Sequence, residues 1–262
     1  MDMKLLNMWS DNSGPTHFYK FRGVSDFTKM IVTRNELYFG SAEDFNDPFD
    51  FLPIFTMDGS PTQVKEYLAN TQEGRSRSDK RKFAAQIMKD PKYRDYVREA
   101  LQVAEAELAK VRKSTGLFCL AARADHILLW GHYADSHRGI ALRFKPQKGD
   151  GFFETACKVS YEKDRPKLSF VQHDTVMLHK LALLTKADFW SYEDEWRIVK
   201  ETGSKGPHKF AASALDGIVL GAKISDEDER KVRDWVAEAG LNVEWLRASI
   251  HKDTFSLEIG NG

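Results

Sequence analysis

Residues 190–199, WSYEDEWRIV, constrain the fold most, because they place three charged residues at alternate positions where an apolar strand begins. Successive side chains of an extended chain point to opposite faces, so Glu193, Glu195 and Arg197 would share one face. Two carboxylates on one strand face repel each other unless a cation, a ligand hydroxyl or water satisfies them. The pattern therefore predicts either a ligand site or a solvated strand edge.

Composition limits the class of protein. The chain has 262 residues and 42% apolar content, which is enough to fill one main core. Its 39 basic and 39 acidic residues cancel, so global charge does not indicate a nucleic-acid-coating or membrane-surface protein, and local basic patches remain open. We expect a cytoplasmic protein without a membrane partner, since no apolar run approaches the roughly 20 residues of a membrane span. Cys119 and Cys157 are predicted to be core thiols.

Hydrophobic periodicity predicts an α+β fold with a mixed or antiparallel β-sheet core in a single domain, residues 1–262. Strands are predicted over residues 17–22, 36–40, 116–121, 139–144, 156–161 and 215–221. A further strand is predicted to begin at residue 195, and two more strands are predicted to close the chain. Helices are predicted over 25–34, 127–134 and 170–186, and from 225 onward. Residues 60–113 are helical in composition and are predicted to form a helical insertion that tunes substrate access.

The first predicted strand carries two cations on one face. Lys20 and Arg22 alternate with Tyr19 and Phe21. Two like charges on one strand face are mildly unfavourable unless something neutralises them. They indicate either a solvated face or a site for a phosphate or carboxylate.

A turn-forming segment follows the second predicted strand. In residues 41–50, SAEDFNDPFD, Pro48 restrains Asp47, and both Asn46 and Asp47 favour side-chain-to-backbone turns. Asn46, Asp47 and Asp50 either brace this rigid loop or contact a ligand.

A polar aromatic cluster ends the helix predicted over 127–134. Trp130, His132 and Tyr133 either stack on a ring-bearing ligand or pack into the core. A metal pair of His132 and His137 is disfavoured, because five-residue spacing puts the two rings on different helical faces.

The ordered set of these motifs resembles domain-of-unknown-function family 2971. The set runs YKFR (19–22), LYFGS (37–41), FNDPFD (45–50), FCL (118–120), LWGHYAD (129–135), HRG (137–139) and YEDEWRI (192–198). The resemblance covers nearly the whole chain and, by itself, implies no function.

More distantly, the layout resembles ADP-ribosyltransferases, which implies NAD as substrate, a nucleotide ligand and no metal. On that resemblance Lys20 or Arg22 binds the dinucleotide, Tyr38 and Ser41 border the nicotinamide pocket, and Glu195 is catalytic with Glu193 assisting. The set predicted to bind NAD is Lys20, Arg22, Tyr38, Ser41, Asn46, Asp47, Trp130, His132, Tyr133 and Arg197. The chain departs from one branch of those enzymes in lacking the first-strand histidine common to that branch, and from the other in having Ser41-Ala42-Glu43 in place of a serine-threonine-serine run.

The enzyme would cleave the nicotinamide–ribose bond and pass ADP-ribose to a protein, a nucleic acid or a small molecule, in a toxin or phage-defence setting. Two alternatives remain open. Asp47, Asp50, Glu193 and Glu195 would suit magnesium in a nuclease or phosphoesterase. The same residues would also suit a non-catalytic module that senses a nucleotide or binds a protein.

Overall fold

The structure is a computed structural model that describes residues 14–147, 149 and 151–262. The chain divides into two compact units. Unit 1 contains the described residues up to Ser41, together with 115–159 and 188–262, and unit 2 contains 42–114 and 160–187. The segment predicted as an insertion, 60–113, falls within unit 2.

The secondary structure elements are numbered in chain order. The described strands are β1 (Phe18–Arg22), β2 (Glu36–Phe39), β3 (Ile54–Thr56), β4 (Thr115–Ala121), β5 (Ile140–Phe144), β6 (Cys157–Lys158), β7 (Ser160–Glu162), β8 (Lys167–Ser169), β9 (Thr185–Ala187), β10 (Glu195–Thr202), β11 (Gly206–Lys209), β12 (Leu215–Leu220), β13 (Glu244–Ile250) and β14 (Leu257–Asn261). The described helices are α1 (Asp26–Arg34), α2 (Pro61–Asn70), α3 (Arg77–Lys89), α4 (Tyr93–Ser114), α5 (Ile127–Tyr133), α6 (Thr175–Leu183) and α7 (Asp226–Glu238).

Unit 1 is built on an eight-stranded sheet in the order β14-β13-β12-β5-β1-β4-β10-β6. Strands β12 and β13 pair in parallel, whereas the other pairs are antiparallel. The predicted combination of helices with a mixed or antiparallel sheet is confirmed, and the sheet is a mixed one. A separate ribbon pairs β2 with β11.

Apolar clusters cover both faces of this sheet, which explains why a strand such as β4, TGLFCLA, is nearly continuous in apolar residues. We call the two faces the first and second cores. The first core includes Phe18, Leu120, Ile140, Leu142 and Trp196. The second core includes Phe21, Ala121, Trp130, Ala141 and Val219. Neighbouring residues on one strand therefore enter different cores, as the pleat requires.

Local capping signals set two helix starts of unit 1. The Ser25 hydroxyl accepts a hydrogen bond from Thr28 N at 3.4 Å, and α1 begins at the next residue. The Ser225 hydroxyl accepts from Asp228 N at 3.1 Å, and α7 begins at Asp226. Each hydroxyl satisfies a backbone donor that the first helical turn leaves without a partner. Both predicted helix starts are confirmed.

Unit 2 contains α2, α3, α4 and α6, with β3 parallel to β8 and β7 parallel to β9. The helix predicted over 170–186 is too long. Asp174 Oδ1 accepts from Met177 N at 2.8 Å and caps a helix that begins at Thr175 and ends at Leu183. Within the described part of the chain, none of the helices combines the length and apolarity needed to cross a membrane.

Candidate functional site

The charged segment of unit 1 is not one extended strand. Residues Asp188–Glu193 form a 3-10 turn, Asp194 takes a left-handed conformation with φ of 40°, and β10 begins at Glu195. The expectation that Glu193 shares a strand face with its neighbours is therefore wrong. Glu195 and Arg197 do occupy alternate positions of β10 and share a face. Backbone strain at a non-glycine residue such as Asp194 is more common at functional sites than elsewhere.

Glu195 and Arg197 form a buried bidentate ion pair. Arg197 Nε donates to Glu195 Oε1 at 2.7 Å, and Arg197 Nη2 donates to Glu195 Oε2 at 3.1 Å. The exposed fractions of the two residues are 3% and 0%. Because both charges are removed from water, each is stabilised by the opposite charge of the other. The two parallel hydrogen bonds from the guanidinium also fix the orientation of the carboxylate.

Glu193 is oriented by a different donor. Tyr133, the last residue of α5, donates its hydroxyl to Glu193 Oε1 at 2.7 Å. Glu193 is buried as well, with 5% exposure. The two carboxylates thus lie two residues apart in sequence, each held by its own partner.

Aromatic rings flank this carboxylate pair. Tyr192 stacks on His126 at 5.5 Å between ring centroids, and exposed His132 lies 6.3 Å from Tyr192. Trp130 is fully buried, packs edge-on against Phe21, and its ring nitrogen donates to a backbone carbonyl at 2.6 Å. Trp130 therefore packs in the second core and offers no open ring face for stacking, whereas His132 and Tyr133 are at least partly exposed.

The sheet opens next to these carboxylates. Strands β1 and β4 pair at Tyr19 and Ala121. Beyond that pair, Lys20 Nζ donates to the Cys119 backbone carbonyl at 2.7 Å, and it lies 4.7 Å from the centroid of the Phe118 ring. The Lys20 ammonium therefore donates to a backbone carbonyl that would otherwise accept a hydrogen bond from a backbone N–H of the neighbouring strand.

The strand registers place the cations and the carboxylate on different faces. Arg22 lies opposite Ile140 of the first core, whereas Glu195 lies opposite Ala121 of the second core. Lys20 lies opposite Leu142 of the first core, on the face of Arg22, and its ammonium contacts the Cys119 carbonyl and the first-core ring of Phe118. Arg22 and Glu195 therefore do not line one cleft on a single face of the sheet, contrary to the prediction that they share a site, and one ligand could contact both only across the opening between β1 and β4.

The electrostatics of Lys20 show that these charges act on one another. Removal of its ammonium from water and the positive charge of Arg22 together lower the pKa of Lys20, the carboxylates of Glu195 and Glu193 oppose the decrease, and the resulting pKa is about 8. Desolvation also lowers the pKa of Arg22.

Cys119 belongs to the same cluster. It lies opposite Arg197 in the pairing of β4 with β10, and its side chain is hydrogen-bonded to Glu195. Burial raises the pKa of the Cys119 thiol, and the negative charge of Glu195 raises it further. The thiol is therefore protonated and donates to the carboxylate. The sequence predicted only a core thiol, because no local signal indicates which strand lies beside β4.

Lys20 yields a prediction about pH. Because its pKa is about 8 in the folded protein and 10.5 without perturbation, the unfolded chain retains a proton that the folded chain has lost in this range. Stability should therefore rise as pH increases from about 8 towards 10. The free energy of unfolding is measured by denaturant titration of the wild type and of Lys20→Met at several pH values in this range. Equal pH slopes for the two proteins would show that Lys20 is not the cause.

The remaining predicted residues of unit 1 lie elsewhere. Tyr38 is 55% exposed on β2 and lies opposite Pro207. Ser41 is buried, and its hydroxyl accepts from Lys205 Nζ at 3.3 Å. The neighbouring residue Gly40 bridges to Leu117, four residues along β4 from the end that meets Glu195, or about 13 Å away. These two residues therefore do not adjoin the carboxylates.

Asn46 and Asp47 belong to unit 2. Asp47 is buried, and its Oδ1 accepts from Phe49 N at 2.9 Å, as expected of a side chain that braces a loop. Its Oδ2 is buried without a hydrogen-bond partner. Asp50 is also buried, and its carbonyl accepts from Arg112 at 2.8 Å. Loop bracing thus accounts for one oxygen of Asp47 and leaves ligand contact open for the other.

Comparison with known proteins bears on the same segment. The family model described as "Protein of unknown function (DUF2971)" matches residues 129–198. This range contains Tyr133, Glu193, Glu195 and Arg197, and the predicted resemblance to this family is confirmed over it. No curated protein and no solved structure matched the chain. Over the described ranges, no group of three or more His, Cys, Asp or Glu residues is arranged to hold a metal ion.

Proposed function

We propose that unit 1 cleaves the nicotinamide–ribose bond of NAD and transfers ADP-ribose to an acceptor, as an ADP-ribosyltransferase-like enzyme in the cytoplasm, in a toxin or phage-defence setting. The observation that supports this is the buried carboxylate of Glu195. Arg197 fixes it in orientation, and it lies next to Glu193 and acts electrostatically on Lys20.

The chemistry requires such a carboxylate. As the bond from the ribose anomeric carbon to nicotinamide breaks, nicotinamide leaves with the bonding electrons and positive charge develops on the ribose. A carboxylate already fixed near that position stabilises this charge without reorganising during the reaction. Glu195 has this role in the proposal, because Arg197 and the Cys119 thiol orient it.

Glu193 assists from the adjacent position. Its contact with Tyr133 leaves it oriented beside the start of β10. In the proposal it accepts a hydrogen bond from the acceptor, whose nucleophilic atom then bonds to the anomeric carbon and transfers its proton to the Glu193 carboxylate. The acceptor is a protein, a nucleic acid, a small molecule or water.

Lys20 and Arg22 bind the pyrophosphate in this proposal. A guanidinium matches phosphate oxygens with two parallel donors, and an ammonium adds a compact charge. Both groups are partly removed from water in the free protein, since desolvation lowers the pKa of each. A dianionic pyrophosphate would offset that cost, which favours binding at the opening between β1 and β4 over a purely structural role.

Arg22→Ala tests the binding step. We expect the Kd for NAD to rise about 10- to 100-fold, because a hydrogen bond to a charged group contributes about 1.5–3 kcal/mol. Titration calorimetry with EDTA present measures this. Arg230→Ala, which removes an exposed arginine of α7, is the matched control and should bind as the wild type does. An unchanged Kd for a folded Arg22→Ala variant would contradict the proposed site.

A further inference from the structure

A second site is indicated by charge segregation in unit 2. Residues 75–98 contain nine Lys and Arg residues against three Asp residues, whereas the whole chain has a net charge of +0. A local excess of this kind attracts polyanions even when the global field is neutral.

The positive charge converges on a groove between α2 and α3. The groove has a volume of about 530 Å³ and is lined by Lys65, Arg77, Ser78, Arg81, Lys82 and Ala85. No carboxylate lines it. In the part of the chain that the structure describes, its four cations form no ion pair with a carboxylate. The groove therefore holds uncompensated positive charge.

The spacing of residues along α3 places the side chains that line the groove next to one another. Arg77 and Arg81 are four residues apart on α3, as are Ser78 and Lys82, so these side chains are neighbours on the helix surface. Like charges at this spacing destabilise a helix by a few tenths of a kcal/mol per pair. Arg77 is also the first residue of α3, where the helix dipole adds positive potential. These costs favour a function for the charge over a merely solvated face.

The groove continues into a second recess that has an aromatic wall. This recess has a volume of about 390 Å³, shares Lys82 with the first, and is also lined by Arg75, Phe83, Gln86 and one carboxylate, that of Asp79. The Arg75 guanidinium lies 5.1 Å from the centroid of the Phe83 ring. Two adjoining recesses with cations and an aromatic ring suit a chain of phosphates that carries rings, rather than one phosphate group.

We propose that the α2–α3 face docks the backbone of single-stranded nucleic acid, with Lys65, Arg77, Arg81 and Lys82 contacting successive phosphates. Arginine forks match phosphate oxygens, and bases stack on aromatic rings without sequence preference. This inference does not depend on the proposed NAD chemistry. It holds or fails on binding alone.

The test is fluorescence anisotropy of the full chain with a labelled 20-nucleotide oligothymidylate over a range of salt concentrations. Four phosphate contacts predict that log K falls with log salt at a slope of about −3. Arg77→Glu/Arg81→Glu should weaken binding at least about tenfold and reduce the slope by about half. Arg230→Glu/Lys252→Glu makes the same charge change at exposed positions of unit 1 and should bind as the wild type does.

The variant Arg77→Gln/Arg81→Gln removes charge without reversing it, so the proposal predicts a smaller loss of oligothymidylate affinity than in the glutamate variant. It also provides the test if the glutamate variant does not fold. Wild-type affinity and slope in both Arg77/Arg81 double variants would overturn the proposal. Competition by polyglutamate that is as strong as competition by unlabelled oligothymidylate would also overturn it, because the groove would then be an acidic-peptide site.

Discussion

Replacing Arg197 by methionine is expected to lower the free energy of unfolding by about 3–5 kcal/mol, the largest effect on stability that we predict. The substitution leaves the Glu195 carboxylate buried without its bidentate partner. Urea unfolding monitored by tryptophan fluorescence measures the loss.

The double variant Glu195→Leu/Arg197→Met separates loss of the pair from loss of packing. It removes both charges and fills their space with apolar groups, so it should recover most of the stability lost in Arg197→Met. A double variant that is no more stable than the single one would show that Arg197 stabilises the fold by packing and not by compensating Glu195.

Glu195→Gln is expected to lower the rate of nicotinamide release from NAD by about 10²-fold or more. The amide retains the shape of the carboxylate and loses the charge that, in the proposed mechanism, stabilises the positive ribose. Product release is followed by chromatography at saturating NAD, at a temperature where unfolding curves show both proteins to be folded.

Glu229→Gln is the matched control for that variant. Glu229 accepts hydrogen bonds from Arg233 and Arg247, so its replacement also disrupts a carboxylate–arginine contact, on α7. Its nicotinamide release should equal that of the wild type. A folded Glu195→Gln variant that keeps at least a third of wild-type activity would remove Glu195 from its catalytic role.

Features set by nearby residues were predictable from the sequence. Ser25 and Ser225 mark helix starts because a cap needs only a hydroxyl and a backbone N–H three residues later. The alternation that places Glu195 and Arg197 on one face also held, because both lie within a single strand. Glu193 was misplaced because periodicity carries no information about the left-handed turn at Asp194.

Features set by strand order were not predictable. The contact of Lys20 with the Cys119 carbonyl depends on β4 lying beside β1, although about a hundred residues separate them in the chain. The hydrogen bond between Cys119 and Glu195 likewise depends on the register of β4 with β10. The sequence allowed Trp130 either to stack on a ligand or to pack in the core, and its contact with Phe21 supports packing in the core.

The central claim is that the carboxylates beside the opening between β1 and β4 cleave NAD. The most direct measurement is nicotinamide release by the purified full chain with NAD in buffer that contains EDTA. We predict release well above the spontaneous rate, unchanged when magnesium replaces EDTA. Absence of nicotinamide release would contradict the claim even if NAD binds, as would an activity that appears only with magnesium and cuts nucleic acid.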